Sequence, residues 1–288
     1  MNSSMINITD TGYPGLLSEI QGAPSPIFVR GTLPEGTKPT VAIVGTRKAT
    51  KDGRELARKT AMELAEAGIV VVSGLAMGID TEAHKGTLKA HGITVAVLGN
   101  GIDSVYPVQN ERLAREILET GGAIISEYSS DEPSYKYRFI ERNRIISGLS
   151  LGVVVIEAPE QSGALSTARF AGEQGRSIFV FPSAPHNKNY AGSHALIRDG
   201  ATLVTKTDDI LEDLGIEKTS KTSEKLKELD ANEYKVLSVI SEAGKPVNID
   251  TIIELTTLEP HVASNIITML VVEGIIKEGN FGYEISNS

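Results

Sequence analysis

Residues 40–74, TVAIVGTRKATKDGRELARKTAMELAEAGIVVVSG, decide the fold. The segment opens on the apolar run TVAIVG and closes on IVVVSG, and apolar residues recur at helical spacing over 52–67 between them. Neither run alternates, so both of its faces are buried, as in a parallel strand covered by helices on each side. Strand, helix and strand at this spacing form a βαβ unit with a right-handed crossover. The pattern then repeats. Apolar runs follow at 94–99, 122–127, 152–158, 177–182 and 201–205, with amphipathic segments at 81–91, 110–120 and 166–175. An α/β fold is predicted for residues 40–214, doubly wound around a mostly parallel sheet.

Residues 1–39 are rich in glycine and proline and read as a lead-in packed on this domain. Residues 215–226 are polar and charged, the composition of a linker. Over 227–288, helical patterns at 231–243, 249–256 and 260–273 precede GIIKEGNFGYEIS, which reads as a hairpin with Gly-Asn at its turn. Three helices and a hairpin outline a small winged-helix domain. Such modules contact DNA in some proteins and dimerise or dock other proteins elsewhere, and this one is not conspicuously basic.

The 288 residues are 40% apolar and 23% charged, values of an ordinary globular chain. A net charge of −9 excludes a generally basic surface, so any nucleic-acid site must be a local patch. No apolar run approaches the roughly 20 residues of a membrane span, and no secretory signal is visible at the N-terminus. The absence of cysteine excludes disulfides and thiolate metal sites and fits a reducing cytoplasm.

Ligands of doubly wound sheets bind at the carboxyl ends of the strands. Three glycine-bearing loops fall there: Gly45-Thr46-Arg47, Ser73-Gly74 with Gly78, and Ser162-Gly163 leading to Thr167. Each offers backbone N–H groups and hydroxyls to an anion, although glycine after a strand is also an ordinary tight turn. None has the spacing of a dinucleotide fingerprint or a P-loop. Asp80 and His84 stand i, i+4, either as an acid/base pair or as a capping residue beside a packed histidine. The five histidines show no metal-ligand spacing, and no metal or cofactor is expected.

In SYKYRFIERNRIISGLS, Lys136, Arg138, Arg142 and Arg144 interleave with Tyr135, Tyr137 and Phe139. Cations for phosphates and rings for bases suit a single strand. As a helix, the segment puts Phe139, Ile145, Ile146 and Leu149 on one face, with Arg142 among them, Asn143 near Phe139 and Arg144 pointing away. Arg142 is then either a ligand contact or a buried buttress, with Glu127 or Glu157 as its partner.

These pieces resemble the DprA/Smf family of bacterial DNA-processing proteins. The likeness runs from Tyr13-Pro14 to Val204 through VAIVGTR, SGLAMGIDTEAH, VAVLGNGIDSVYP, SEY, FIERNRIISGLS, VVIEAPEQSGALSTA and GAT. It implies an extended Rossmann-like domain that binds single-stranded DNA without strong sequence preference. It also implies a homodimer that loads RecA recombinase onto SSB-coated strands during natural transformation. By position, the family's pocket residues are Arg47, Lys136 and Phe139, followed by Arg142, Asn143 and Arg144. The chain departs from the family in having few residues ahead of the sheet, too few for a helical N-terminal domain. It also has Phe181-Pro182-Ser183 for the usual V-P-G, and Gly192-Ser193-His194 for G-S-N. The strand-end layout is similar as well to the lysine decarboxylase-like phosphoribohydrolases. Their motif carries a catalytic glutamate where this chain has Ala168-Arg169-Phe170, so a binding protein rather than an enzyme is expected. A nucleotide-sensing module signalling through the winged helix is a third reading.

Overall fold

The computed structural model describes residues 3–130, 132–216, 230–243, 246–272, 275–279 and 282–285. They fall into two compact units, Met1–Lys218 and Thr219–Ser288. Most of the expected linker, from 217 onward, lies outside the described residues.

The first unit is built on a nine-stranded sheet. Its strands are β1 (Ser4–Ile6), β2 (Ile27–Gly31), β3 (Thr40–Gly45), β4 (Val70–Ser73), β5 (Thr94–Leu98), β6 (Ala123–Ser126), β7 (Gly152–Ile156), β8 (Ser177–Val180) and β9 (Thr202–Leu203). In space they run β1-β2-β6-β5-β4-β3-β7-β8-β9. Everything from β6 to β9 is parallel. The chain enters at β3, steps outward through β4 and β5 to β6, then returns to β7 on the other side of β3. That reversal leaves a crevice between β3 and β7 at their carboxyl ends, where doubly wound folds bind ligands.

Eight helices accompany these strands among the described residues of the unit: α1 (Gly15–Ser18), α2 (Lys51–Glu66), α3 (Ile79–Lys89), α4 (Glu111–Glu119), α5 (Lys136–Gly148), α6 (Ala164–Glu173), α7 (Ala191–Arg198) and α8 (Thr207–Asp213). Successive residues of a strand point to opposite faces, and β3 shows why its apolar run is continuous. Ala42 and Val44 pack with Ile145 and Ile146 of α5 and Ala168 of α6. Val41 and Ile43 pack on the other face with Ala57, Ala61 and Leu64 of α2 and Ile79 of α3.

Residues 1–39 do more than pack on the domain, as expected of them: they extend its sheet. β2 pairs antiparallel with β6, and β1 antiparallel with β2. Their short runs, SMI and IFVRG, are set among prolines and glycines that hide a strand signal.

The second unit contains α9 (Ala231–Ala243), α10 (Ile249–Thr256), α11 (Pro260–Val272) and a hairpin of β10 (Ile276–Gly279) with β11 (Gly282–Ile285). Val247 adds an antiparallel bridge to Tyr283. Val236, Leu237, Ile252, Ile267 and Leu270 form its core, and the arrangement is that of a winged helix. Gly279 pairs with Gly282 as a strand residue, and Asn280, the other residue of the expected Gly-Asn turn, lies outside the described residues. Among the described residues no single helix is long and apolar enough to cross a membrane.

Candidate functional site

The β3/β7 crevice opens into a cavity of about 520 Å³. Its first wall is the turn after β3. A side chain at Gly45 would run into the Ile156 carbonyl, so glycine is what lets β3 end this close to β7. Thr46 fastens the turn. Its N–H donates to the Glu157 carbonyl (2.9 Å), and its own carbonyl accepts from Ile79 N–H (3.2 Å). Gly78, at φ +84°, passes against that same Thr46 carbonyl, which excludes any Cβ there. Arg47 and Lys48 are left pointing to solvent at the cavity mouth.

Glu157 anchors the turn from behind. It is wholly buried at the end of β7, in a left-handed backbone conformation (φ 51°). Its carboxylate accepts from the Thr50 N–H (3.0 Å) and hydroxyl (2.7 Å). Thr50 in turn caps α2 by accepting from Gly53 N–H.

The second wall is α5, which contributes Lys136, Phe139, Ile140, Arg142 and Asn143. Phe139 rests on Gly99, where a Cβ would stand 2.8 Å from the ring. The Arg47 guanidinium lies over that ring at 5.6 Å, and Tyr106 meets it at 5.4 Å, tilted by 39°. Asn143 Nδ2 donates to Ser166 Oγ (2.8 Å) and the Gly163 carbonyl (3.3 Å), joining α5 to the start of α6. There Ser162, Gly163 and Thr167 form the third wall, with Ser162 Oγ accepting from Ala164 N–H.

Arg142 forms the floor and is only 4% exposed. Its Nη1 donates to the carbonyls of Gly74 (2.8 Å) and Val97. The expected partners, Glu127 and Glu157, are both engaged elsewhere: Glu157 holds Thr50, and Glu127 pairs with Arg144. Strand-end carbonyls replace them because Arg142 lies beneath the ends of β4 and β5. Arg144 does point away from the apolar face as expected, and its ion pair lies outside the cavity.

Ser73 and Gly74 stand behind the floor. Ser73 Oγ is fully buried and donates to the Ile43 carbonyl (2.7 Å). Gly74 N–H donates to Asp80 (3.1 Å), as does Ala76 N–H (3.4 Å). Asp80 and His84 form no pair with each other. Burial pushes Asp80 up to about 6, opposed by the nearby positive charge of Arg142. Burial also drives His84 down to about 3, so it is neutral, with Nδ1 on Thr94 Oγ1 (2.8 Å). Nor does Asp80 cap its helix at the first position, which is Gly78; it ties down the loop before α3.

Three sequence-marked loops therefore serve two purposes: the first and third line the cavity, and the second braces Arg142. Lys48 and Tyr106 line it too and were not singled out from sequence. Tyr-Pro in a loop past a strand end was the available signal for Tyr106. The lining carries four cations, Arg47, Lys48, Lys136 and Arg142, against one carboxylate, Asp80. A chain of net charge −9 thus reverses its sign locally at the crevice.

Residues 4–215 match the family model of DNA recombination-mediator protein A. The chain is 44% identical over 213 residues to protein Smf of Escherichia coli, covering 74% of this chain and 57% of Smf. It is 43% identical over 205 residues to DNA processing protein DprA of Streptococcus pneumoniae, covering 71% of this chain and 72% of DprA. The solved structure of that DprA superposes with a TM-score of 0.69 at 42% identity, over 73% of this chain and 74% of DprA. DNA processing protein A of Helicobacter pylori, whose structure concerns its single-stranded DNA binding mode, superposes with a TM-score of 0.66 at 28% identity. That match covers 74% of this chain and 96% of the other. The chain spans little more than half the length of the Smf proteins it matches, 57% in Escherichia coli and 54% in Synechocystis. With a family model matching most of the chain and relatives above 40% identity, this protein belongs to the DNA recombination-mediator protein A family, the DprA/Smf proteins.

Proposed function

We propose that the crevice binds single-stranded DNA, with phosphates against Arg47, Lys48 and Lys136 and a base stacked at Phe139. One observation carries the reading: Phe139, framed by Arg47 and Tyr106, stands inside a cationic cavity at the sheet's switch point. A ring so placed takes the face of an unstacked base, which a duplex does not offer. Arg142, Asn143, Gly45 and Thr46 hold the walls in place, and Ser162, Gly163 and Thr167 supply the third wall's polar groups. Arg144 contributes to this reading only through the fold, by pairing with Glu127.

The protein acts by binding and not by catalysis. The lining carboxylate Asp80 is committed to two backbone N–H groups, which supports this. As a family member, its proposed role is to pass strands from SSB-coated DNA to RecA recombinase, as a homodimer in the cytoplasm during DNA uptake.

The test is a fluorescence anisotropy titration of the full chain with labelled oligo-dT and with a duplex of equal length. Tighter binding of oligo-dT at low salt is expected. Equal or absent binding refutes the proposal. Faster RecA filament nucleation on SSB-coated strands tests the second step, and an unchanged rate refutes it.

A further inference from the structure

The rim of the cavity carries a second aromatic group that the Phe139 site does not use. Tyr135 immediately precedes α5, and Tyr137 lies in its first turn. Their rings stack on each other, with centroids 5.7 Å apart and planes 14° from parallel. Both stay open to solvent, Tyr135 at 48% and Tyr137 at 54% exposure.

Two features make this pair a platform and not a loose surface cluster. First, it is braced. The Arg138 guanidinium lies 5.0 Å from the Tyr135 ring and 4.1 Å from that of Tyr128. Arg138 is itself fixed by Glu132 (2.9 Å) and the Pro133 carbonyl (3.1 Å). Rings held this way lose little further freedom when a ligand stacks on them. Second, the pair is continuous with the cavity. Lys136, between the two tyrosines in sequence, lines the cavity, and so does Ile140. Ile140 is 51% exposed and neighbours Tyr137 at i, i+3 on the helix surface.

Resting on the reading of the crevice as a single-strand site, we infer that Tyr135 and Tyr137 form a second base-stacking platform for the strand as it leaves the cavity across Lys136 and Ile140. Charge sets the strand's orientation. Lys136 takes a phosphate at the rim. Glu141, one turn beyond Tyr137 and accepting from the Tyr128 hydroxyl (3.3 Å), repels one. Bases therefore turn toward the tyrosines and the backbone stays on the Lys136 side. Any base has a π face, so the platform adds length-dependent affinity without sequence preference.

The experiment compares a short oligo-dT that fills only the crevice with one several nucleotides longer, on the full chain. The parent is expected to bind the longer strand more tightly. Tyr135→Ala/Tyr137→Ala is expected to keep the short-strand affinity within about twofold and to lose at least about fivefold of the gain from length. Because the chain has no tryptophan, Tyr137→Trp supplies a single reporter, expected to be quenched by the long strand and not by the short one. Undiminished length dependence in the double variant, or an unquenched Trp signal with the long strand bound, overturns this inference while leaving the crevice reading intact. Failure of the parent to bind either strand overturns both.

Discussion

Replacing Arg142 by methionine separates a buttress from a ligand contact. Methionine keeps much of the stem volume but leaves the Gly74 and Val97 carbonyls without their guanidinium donor, and Asp80 without its compensating charge. Each of the two orphaned buried carbonyls costs about 1–3 kcal/mol, and Asp80 loses the nearby positive charge that opposes the effect of its burial. Asp80 limits the damage by taking up a proton. With its carboxyl already at about 6, protonation at pH 7.5 costs about 2 kcal/mol. A loss of about 3–5 kcal/mol is therefore expected, which for a domain of this size lowers Tm by roughly 6–20 °C. The pH dependence carries a definite sign. The native carboxyl sits above the ordinary 3.8, so Asp80 favours the fold below that value and its contribution is lost as pH rises through about 6. Without Arg142 that carboxyl rises further, so the deficit should be smaller at pH 5 than at pH 7.5. Thermal melts followed by circular dichroism at both pH values measure it. A variant melting within 2 °C of the parent at pH 7.5, by the roughly 2–4 °C per kcal/mol scale, refutes the buttress role.

Removing Arg47 or Lys136 by alanine substitution should flatten the slope of log affinity against log salt for oligo-dT by about 0.7 each, read from titrations at several ionic strengths. An unchanged slope places the phosphates elsewhere. Phe139→Ala should weaken oligo-dT by about 1–3 kcal/mol with little change in that slope, because stacking releases no counterions. Glu157→Gln should cost about 2 kcal/mol, seen as a lower urea midpoint at constant m-value. It removes the charge that accepts from both the N–H and the hydroxyl of Thr50.

The parallel core was legible because β3, β4, β5 and β7 are apolar on both faces, a pattern that only a two-sided helical cover produces. The cavity was legible in part for a related reason. The switch point follows from strand order, and its loops carry glycines whose missing side chains the structure requires at Gly45 and Gly78. Arg142 was correctly placed among isoleucines by periodicity, but its partners were not. A backbone carbonyl has no residue identity, so the acceptors at Gly74 and Val97 leave no trace in the sequence. β1 and β2 went unread because each is short and the partner of β2 lies far along the chain.

That last pairing governs the order in which the molecule can be assembled on the ribosome. β2 is made early, yet the strand it needs, residues 123–126, emerges only after β3, β4 and β5 have been translated. At roughly 5–20 residues per second, IFVRG waits on the order of 5–20 seconds as an unsatisfied apolar strand. Its other neighbour, the three-residue β1, makes a two-stranded pair too small to hold by itself. The sheet's antiparallel edge therefore cannot close until β6 has been made, although β2 is ready well before it. Synonymous codon changes that slow translation between the emergence of β2 and that of β6 lengthen this vulnerable interval, whereas slowing once β6 has emerged leaves it unchanged.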